Sequence, residues 1–168
     1  MTSVTSPRGD RAWATVSVAV PPERAFRPFT EEIKLWWRRG PRFRNVHGDQ
    51  GIICVEPRVS GRVFESVGEG ANEIVCEVGK SKLWQPSERL ISEWHASNFA
   101  PDERTEVELT FVRSRSGTQV TVEHRGWSAI RPDHPVRHGQ EDAAFMRNGT
   151  MVGRSDDLDT IAGVARRR

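Results

Sequence analysis

The chain has 168 residues and a mass of 19.0 kDa, the size of one domain of ~100–200 residues. Hydrophobic residues make up 36% and charged residues 29%, outside the low-hydrophobicity, high-charge regime of disordered chains. A net charge of +2 and a pI near 8.8 do not imply nucleic acid unless the charge is clustered.

Six Trp and seven Phe occur without one Tyr, which excludes a phenol as acid, base or nucleophile. No stretch approaches the ~18 apolar residues of a membrane span. The leading segment MTSVTSPRGDR lacks the apolar core of a signal peptide. A soluble, cytoplasmic protein with no membrane partner is expected. Cys54 and Cys76 show no metal-ligand spacing. Two buried reduced thiols are expected, with one bridge between them as the alternative.

Residues 1–10 are rich in Ser, Thr, Pro and Gly and read as a disordered lead-in. From Trp13 to Val20 the pattern alternates, with Val16, Val18 and Val20 on one face, the mark of a half-buried strand. Pro21-Pro22 stops it and opens a short helix with Ala25, Phe26 and Phe29 inward. A second short helix is expected over Glu31 to Trp37. Strands follow at Gly51 to Glu56, Gly61 to Val67, Glu73 to Trp84 and Arg89 to Ala96. Two further strands, Thr105 to Val112 and Thr118 to Gly126, alternate cleanly. Val107, Leu109 and Phe111 oppose charged or polar neighbours, as do Val120, Val122 and His124, so both are antiparallel strands with one wet face. Pro132 and Pro135 punctuate a loop. A helical tail then runs to the C-terminus, interrupted near Gly149 to Gly153, with Ser155 as a good N-cap and arginines in the last turn.

This order, one strand, two short helices, about six more antiparallel strands and a C-terminal helix, resembles the helix-grip architecture of the START and birch-pollen-allergen-like superfamily, SRPBCC. Within it, the chain resembles the bacterial single-domain branch of the activator of heat-shock protein 90 ATPase homologue family. The residues that carry the likeness are Val20-Pro21-Pro22-Glu23-Arg24-Ala25-Phe26, Phe29 with Ile33, Trp36 and Trp37, and Gly61-Arg62-Val63-Phe64-Glu65. Gly79 with Trp84-Gln85-Pro86, Arg89-Leu90 and Trp94 continue it, followed by Gly117-Thr118 with Val120 and by His124-Arg125-Gly126-Trp127. The resemblance implies an α+β fold over residues 11–168, a curved antiparallel sheet of about six to seven strands wrapped around a long C-terminal helix, with a cavity between them.

Apolar pockets with a few polar groups hold small ligands. The cavity candidates are Trp37, Phe64, Trp84, Leu90, Trp94, Phe111, Val122 and His124, against the plainer reading that the rings fill a core. Strand alternation puts Leu90, Trp94, Phe111, Val122 and His124 on the concave side. His124 is the one polar group there, able to orient a ligand carbonyl or move a proton, or to sit as a buried neutral ring bonded to Ser92 or the C-terminal helix. His47, His95, His134 and His138 read as exposed. His134 and His138 have helical metal-ligand spacing that Pro135 spoils, so no metal is expected. The basic, ring-containing run from Trp36 to Arg44 reads as a solvated loop rather than a nucleic-acid surface.

No catalytic set, phosphate loop or carboxylate pair emerges, and no cofactor is expected. The expected function is binding of a hydrophobic small molecule by a monomer or homodimer, with no nucleic acid. The alternatives are a cyclase or isomerase using His124 as acid and base, and a co-chaperone-like module that binds protein.

Overall fold

The computed structural model describes residues 11–35, 51–95 and 99–134. Its seven strands are β1 (Arg11–Val18), β2 (Ile52–Val55), β3 (Arg62–Val67), β4 (Ile74–Gln85), β5 (Arg89–Trp94), β6 (Thr105–Ser114) and β7 (Gly117–Arg125). They form one antiparallel sheet in the order β1-β7-β6-β5-β4-β3-β2, which curls into a half-barrel. The expected lead-in at residues 1–10, the Trp37-containing basic run and the C-terminal helix lie outside the described residues. No helix among the described residues is long and apolar enough to cross a membrane.

Two local departures from the sequence reading lie between β1 and β2. The strand stops at Val18, two residues short of the expected Val20. The chain leaves the ladder there because Thr118 Oγ1 donates to the Val20 carbonyl at 2.7 Å. Helix α1 (Pro22–Phe29) starts as expected: the N–H groups of Arg24 and Ala25 donate to the Pro21 carbonyl at 2.9 and 3.0 Å, and Pro22 needs no partner in a first turn. Thr30 Oγ1 closes its end on the Phe26 carbonyl at 2.8 Å. Within the described residues the expected second helix is a single 3-10 turn, Ile33–Leu35.

The curl originates in β4. Its register against β3 skips Val78, since Val63 faces Gly79 and Phe64 faces Glu77. Its register against β5 skips Lys82, since Ser81 faces Ser92 and Leu83 faces Ile91. Each bulge bends the strand and increases its twist. Between them β5 crosses very close to Gly79, where a Cβ would lie 1.8 Å from the Glu93 carbonyl oxygen. The His95 N–H donates to the Val78 carbonyl at 2.5 Å and holds the crossing shut.

The outer face of β5, β6 and β7 is wet, as the alternation predicts. Arg125 sits among Glu106, Glu108 and Glu123, with the Glu108 bond at 2.7 Å and the Glu123 bond at 3.1 Å. Arg89 reaches Glu108 at 2.5 Å and Lys82 reaches Glu106 at 2.9 Å. Such partly exposed pairs stabilise little individually. Their clearer consequence is that this face stays in water and the apolar one turns inward.

Replacement of Gly79 by Val forces a Cβ into the β5 backbone. We expect a loss of roughly 1–3 kcal/mol in urea unfolding, with the β4–β5 amide resonances shifted most. A Gly79→Val protein of unchanged stability would show that the crossing is not tight.

Candidate functional site

The inner face of the sheet is ordered in rows by the strand register. One row runs Trp84, Leu90, Leu109, Val122, and the next contains Phe111 and Val120. Helix α1 lies on both. Phe26 meets Trp84 edge-on at 5.3 Å and Phe111 at 5.1 Å, and Phe29 meets Phe111 at 5.9 Å. Four of the expected cavity residues, Trp84, Leu90, Phe111 and Val122, therefore belong to a packed core under α1.

Beyond them the face changes character. Ser81, Ser92, Val107 and His124 form the next row, and Trp94 and Thr105 face each other at its far side. Here a second apolar cluster gathers Ile53, Val63, Val78, Trp94, Phe99, Trp127 and Ile130. Of the expected residues, Trp94 and His124 come together at this end. Phe64 does not join them. It shares the outer face of β3 with Arg62, whose guanidinium carbon lies 4.9 Å from the ring centroid, while Val63 and Glu65 point inward and are buried. Trp37 lies outside the described residues.

The motif around Gly126 builds the other wall. Gly126 adopts φ 92°, a left-handed conformation that glycine takes without strain. It ends β7 and swings Trp127 back over the sheet, where the indole lies 4.2 Å from the His124 ring, centroid to centroid. The returning segment is pinned by a buried carboxylate, Glu103. That side chain accepts the Arg131 N–H at 2.8 Å, the Arg131 guanidinium at 2.6 Å and the Ala100 N–H at 2.7 Å. Burial opposes ionisation of Glu103, but the backbone N–H groups of Arg131 and Ala100 and the Arg131 charge outweigh it, holding its carboxyl below the ordinary 4.5.

His124 is 2% exposed. Its Nε2 lies 2.7 Å from Thr105 Oγ1, whereas the expected alternative Ser92 instead faces Ser81 at 3.4 Å. Its Nδ1 is buried and has no hydrogen-bond partner among the described residues. Desolvation lowers the pKa of His124 from 6.5 to about 3, so the ring is neutral at pH 7. His134, expected to be exposed, is 1% exposed and packs edge-on against Phe99 at 5.4 Å. His95 is half-buried and takes the Arg104 guanidinium at 3.2 Å. His47 and His138 lie outside the described residues.

Among the described residues, no three His, Cys, Asp or Glu side chains converge as metal ligands. Cys54 and Cys76 are free thiols. The register puts Cys54 beside Phe64 and Cys76 beside Glu65, on opposite faces of the sheet, so a bridge between them is sterically barred. Burial raises both thiol pKa values.

The residues that sequence reasoning left out of the site are Thr105, Trp127, Phe99 and Ile130. Trp127 stood in the quoted motif, but strand alternation stops at Gly126 and gave it no face. Thr105 needed the β5–β6–β7 register. Nothing in the local pattern marked Phe99 or Ile130.

The site makes two acid-linked predictions. A histidine held neutral by the fold binds fewer protons than in the unfolded chain between pH 6.5 and about 3, so its contribution to stability is full above 6.5 and is lost on acidification. Urea unfolding should lose roughly 1 kcal/mol from pH 6.5 to 5.5, and His124→Gln should remove that slope. A wild-type curve that stays flat over this interval contradicts the assignment. For Glu103 the folded pKa is depressed, so its contribution is present above 4.5 and lost only as pH falls below it. Glu103→Gln at neutral pH should cost about 1.5–3 kcal/mol, and no loss would show that the Arg131 segment is held otherwise.

Comparison with known proteins gives the same architecture a family. No curated protein matches the sequence. Solved structures match at low identity: a protein from Mesorhizobium loti, 16% identical, covers 94% of this chain and 97% of its own with a TM-score of 0.57. A Rhodobacter sphaeroides protein is 17% identical over 98% of this chain and 99% of its own, also at 0.57. A solution structure from Arthrobacter aurescens is 13% identical over 99% and 92%, at 0.59. At such identities the likeness speaks for the fold alone. The family model described as "Activator of Hsp90 ATPase homolog 1-like protein" matches residues 19–149. With the strand-to-helix opening at Val20, the Gly79 crossing and the His124 to Trp127 turn all inside that span, the chain belongs to the activator of Hsp90 ATPase homologue 1-like family, within the SRPBCC superfamily.

Proposed function

We propose that this chain is a small-molecule-binding member of its family, holding an apolar ligand against the concave face at the Trp94, Trp127 and His124 end. The observation that carries the reading is His124 Nδ1, a buried polar atom without a partner among the described residues, on a ring 4.2 Å from the Trp127 indole of the second apolar cluster. Buried polar atoms in native proteins are nearly always paired, and those left over ask for an explanation. A ligand that brings one polar group to this wall explains it. Pockets of this kind, mostly apolar with a few fixed polar groups, are how small molecules are oriented.

The division of the inner face supports the same end of the sheet. Helix α1 fills the region of Phe111, Leu90, Trp84 and Val122 with its own aromatic side chains. A ligand there would have to displace Phe26 and Phe29. The acid–base alternative finds no support: burial disfavours the charged ring, and with a pKa of about 3 His124 does not take up protons near neutral pH.

The test is binding of the fluorescent probe 1-anilinonaphthalene-8-sulfonate to the folded chain. We expect saturable binding, weakened about tenfold by Trp94→Ala, which removes one aromatic wall, and restored in large part by Trp94→Phe. Probe binding that is absent, or unchanged in Trp94→Ala, overturns the reading.

A further inference from the structure

Resting on the binding role just given, we propose that the molecule held at this end of the sheet presents a hydrogen-bond donor, a hydroxyl or an N–H, to Nδ1 of His124. One short chain of groups fixes where the protons sit. Thr105 is 3% exposed, and its hydroxyl donates to the Trp94 carbonyl at 3.4 Å. A hydroxyl has a single hydrogen. With that hydrogen directed to Trp94, Thr105 Oγ1 meets His124 Nε2 at 2.7 Å as the acceptor. Nε2 is therefore the protonated nitrogen. A neutral imidazole carries one N–H, which leaves Nδ1 as a bare lone pair.

The opposite tautomer is disfavoured twice. It would turn the Thr105 hydroxyl away from Trp94, and it would bury an N–H at Nδ1 with no acceptor among the described residues. Orphaned buried N–H groups are rarer in folded proteins than under-satisfied acceptors. Burial keeps the ring from escaping by protonation, since the pKa lies at about 3.

The polarity of the ligand follows. A ketone, ether or carboxylate placed against Nδ1 would set lone pair against lone pair in a desolvated site. An apolar body carrying a hydroxyl or N–H would complete the chain from ligand to His124 to Thr105 to the Trp94 backbone. This reverses the expectation that His124 orients a ligand carbonyl. Sites built around a hydrogen bond reject analogues that cannot make it more strongly than apolar walls reject a change of size.

Four probes on one ring system separate this from the binding role itself: 1-naphthol, 1-methoxynaphthalene, 1-acetylnaphthalene and naphthalene, titrated into the wild-type chain with indole N–H resonances as readout. We expect 1-naphthol to bind about fivefold or more tighter than its methyl ether, the factor one net hydrogen bond supplies. The preference should vanish in His124→Phe. Independently of any variant, long-range proton–nitrogen spectra of the wild-type chain should show His124 protonated at Nε2. Equal or tighter binding of 1-methoxynaphthalene or 1-acetylnaphthalene, or a proton on Nδ1, overturns the donor assignment and leaves the binding role standing. Failure of all four probes to bind overturns the binding role, and the donor assignment with it.

Discussion

The close crossing of β4 over β5 at Gly79 is the constraint on which the rest of the molecule depends. Without a side chain there, the Glu93 carbonyl approaches to a distance no Cβ permits, and the bulges at Val78 and Lys82 turn β4 through the bend. A flat seven-stranded sheet would present one broad apolar face that a single eight-residue helix could not cover. The bend divides that face. β1, β7, β6 and β5 carry the region that α1 covers, and β2, β3 and the first half of β4 fold over toward Trp94.

That division separates a packed core under α1 from the end proposed to bind a ligand. Under α1 Phe26 meets Trp84 and Phe29 meets Phe111 edge to face, one of the favoured arrangements of aromatic pairs. At the other end the apolar residues come from many short elements, and polar groups intrude among them: His124, Thr105, Ser81 and Ser92 on the strands, and Glu65 on β3, all buried. Arranging so many polar atoms inside costs free energy that an apolar core would avoid. The Gly126 turn and the Glu103 clamp on Arg131 hold Trp127 over this region, so the indole is positioned from two sides.

Much of this was legible in the sequence because strands with one wet face write their own pattern. Val107, Leu109 and Phe111, and Val120, Val122 and His124, alternate without interruption, and their placement inside follows from the two-residue period. The pattern misleads on β3. There the large ring, Phe64, turns outward under the Arg62 guanidinium, and a carboxylate, Glu65, turns inward. Polarity points the wrong way at both positions. The packing role of Trp84, Leu90, Phe111 and Val122 was hidden for another reason: alternation tells which face a residue takes, not which element lies on that face. His134 lies in a turn between Pro132 and Pro135, where no periodicity exists to read burial from. His124 could be singled out by its place on an apolar face, yet its partner Thr105 is 19 residues away and is defined only by register.

The central claim is that a ligand occupies the Trp94, Trp127 and His124 end of the concave face. Nuclear Overhauser contacts from bound 1-naphthol to assigned protein protons test it most directly. The account predicts contacts to the Trp94 and Trp127 indoles and to the His124 ring, with none to Phe26 or Phe111. Contacts confined to Phe26, Phe29 and Phe111 would place the ligand under α1 and contradict it.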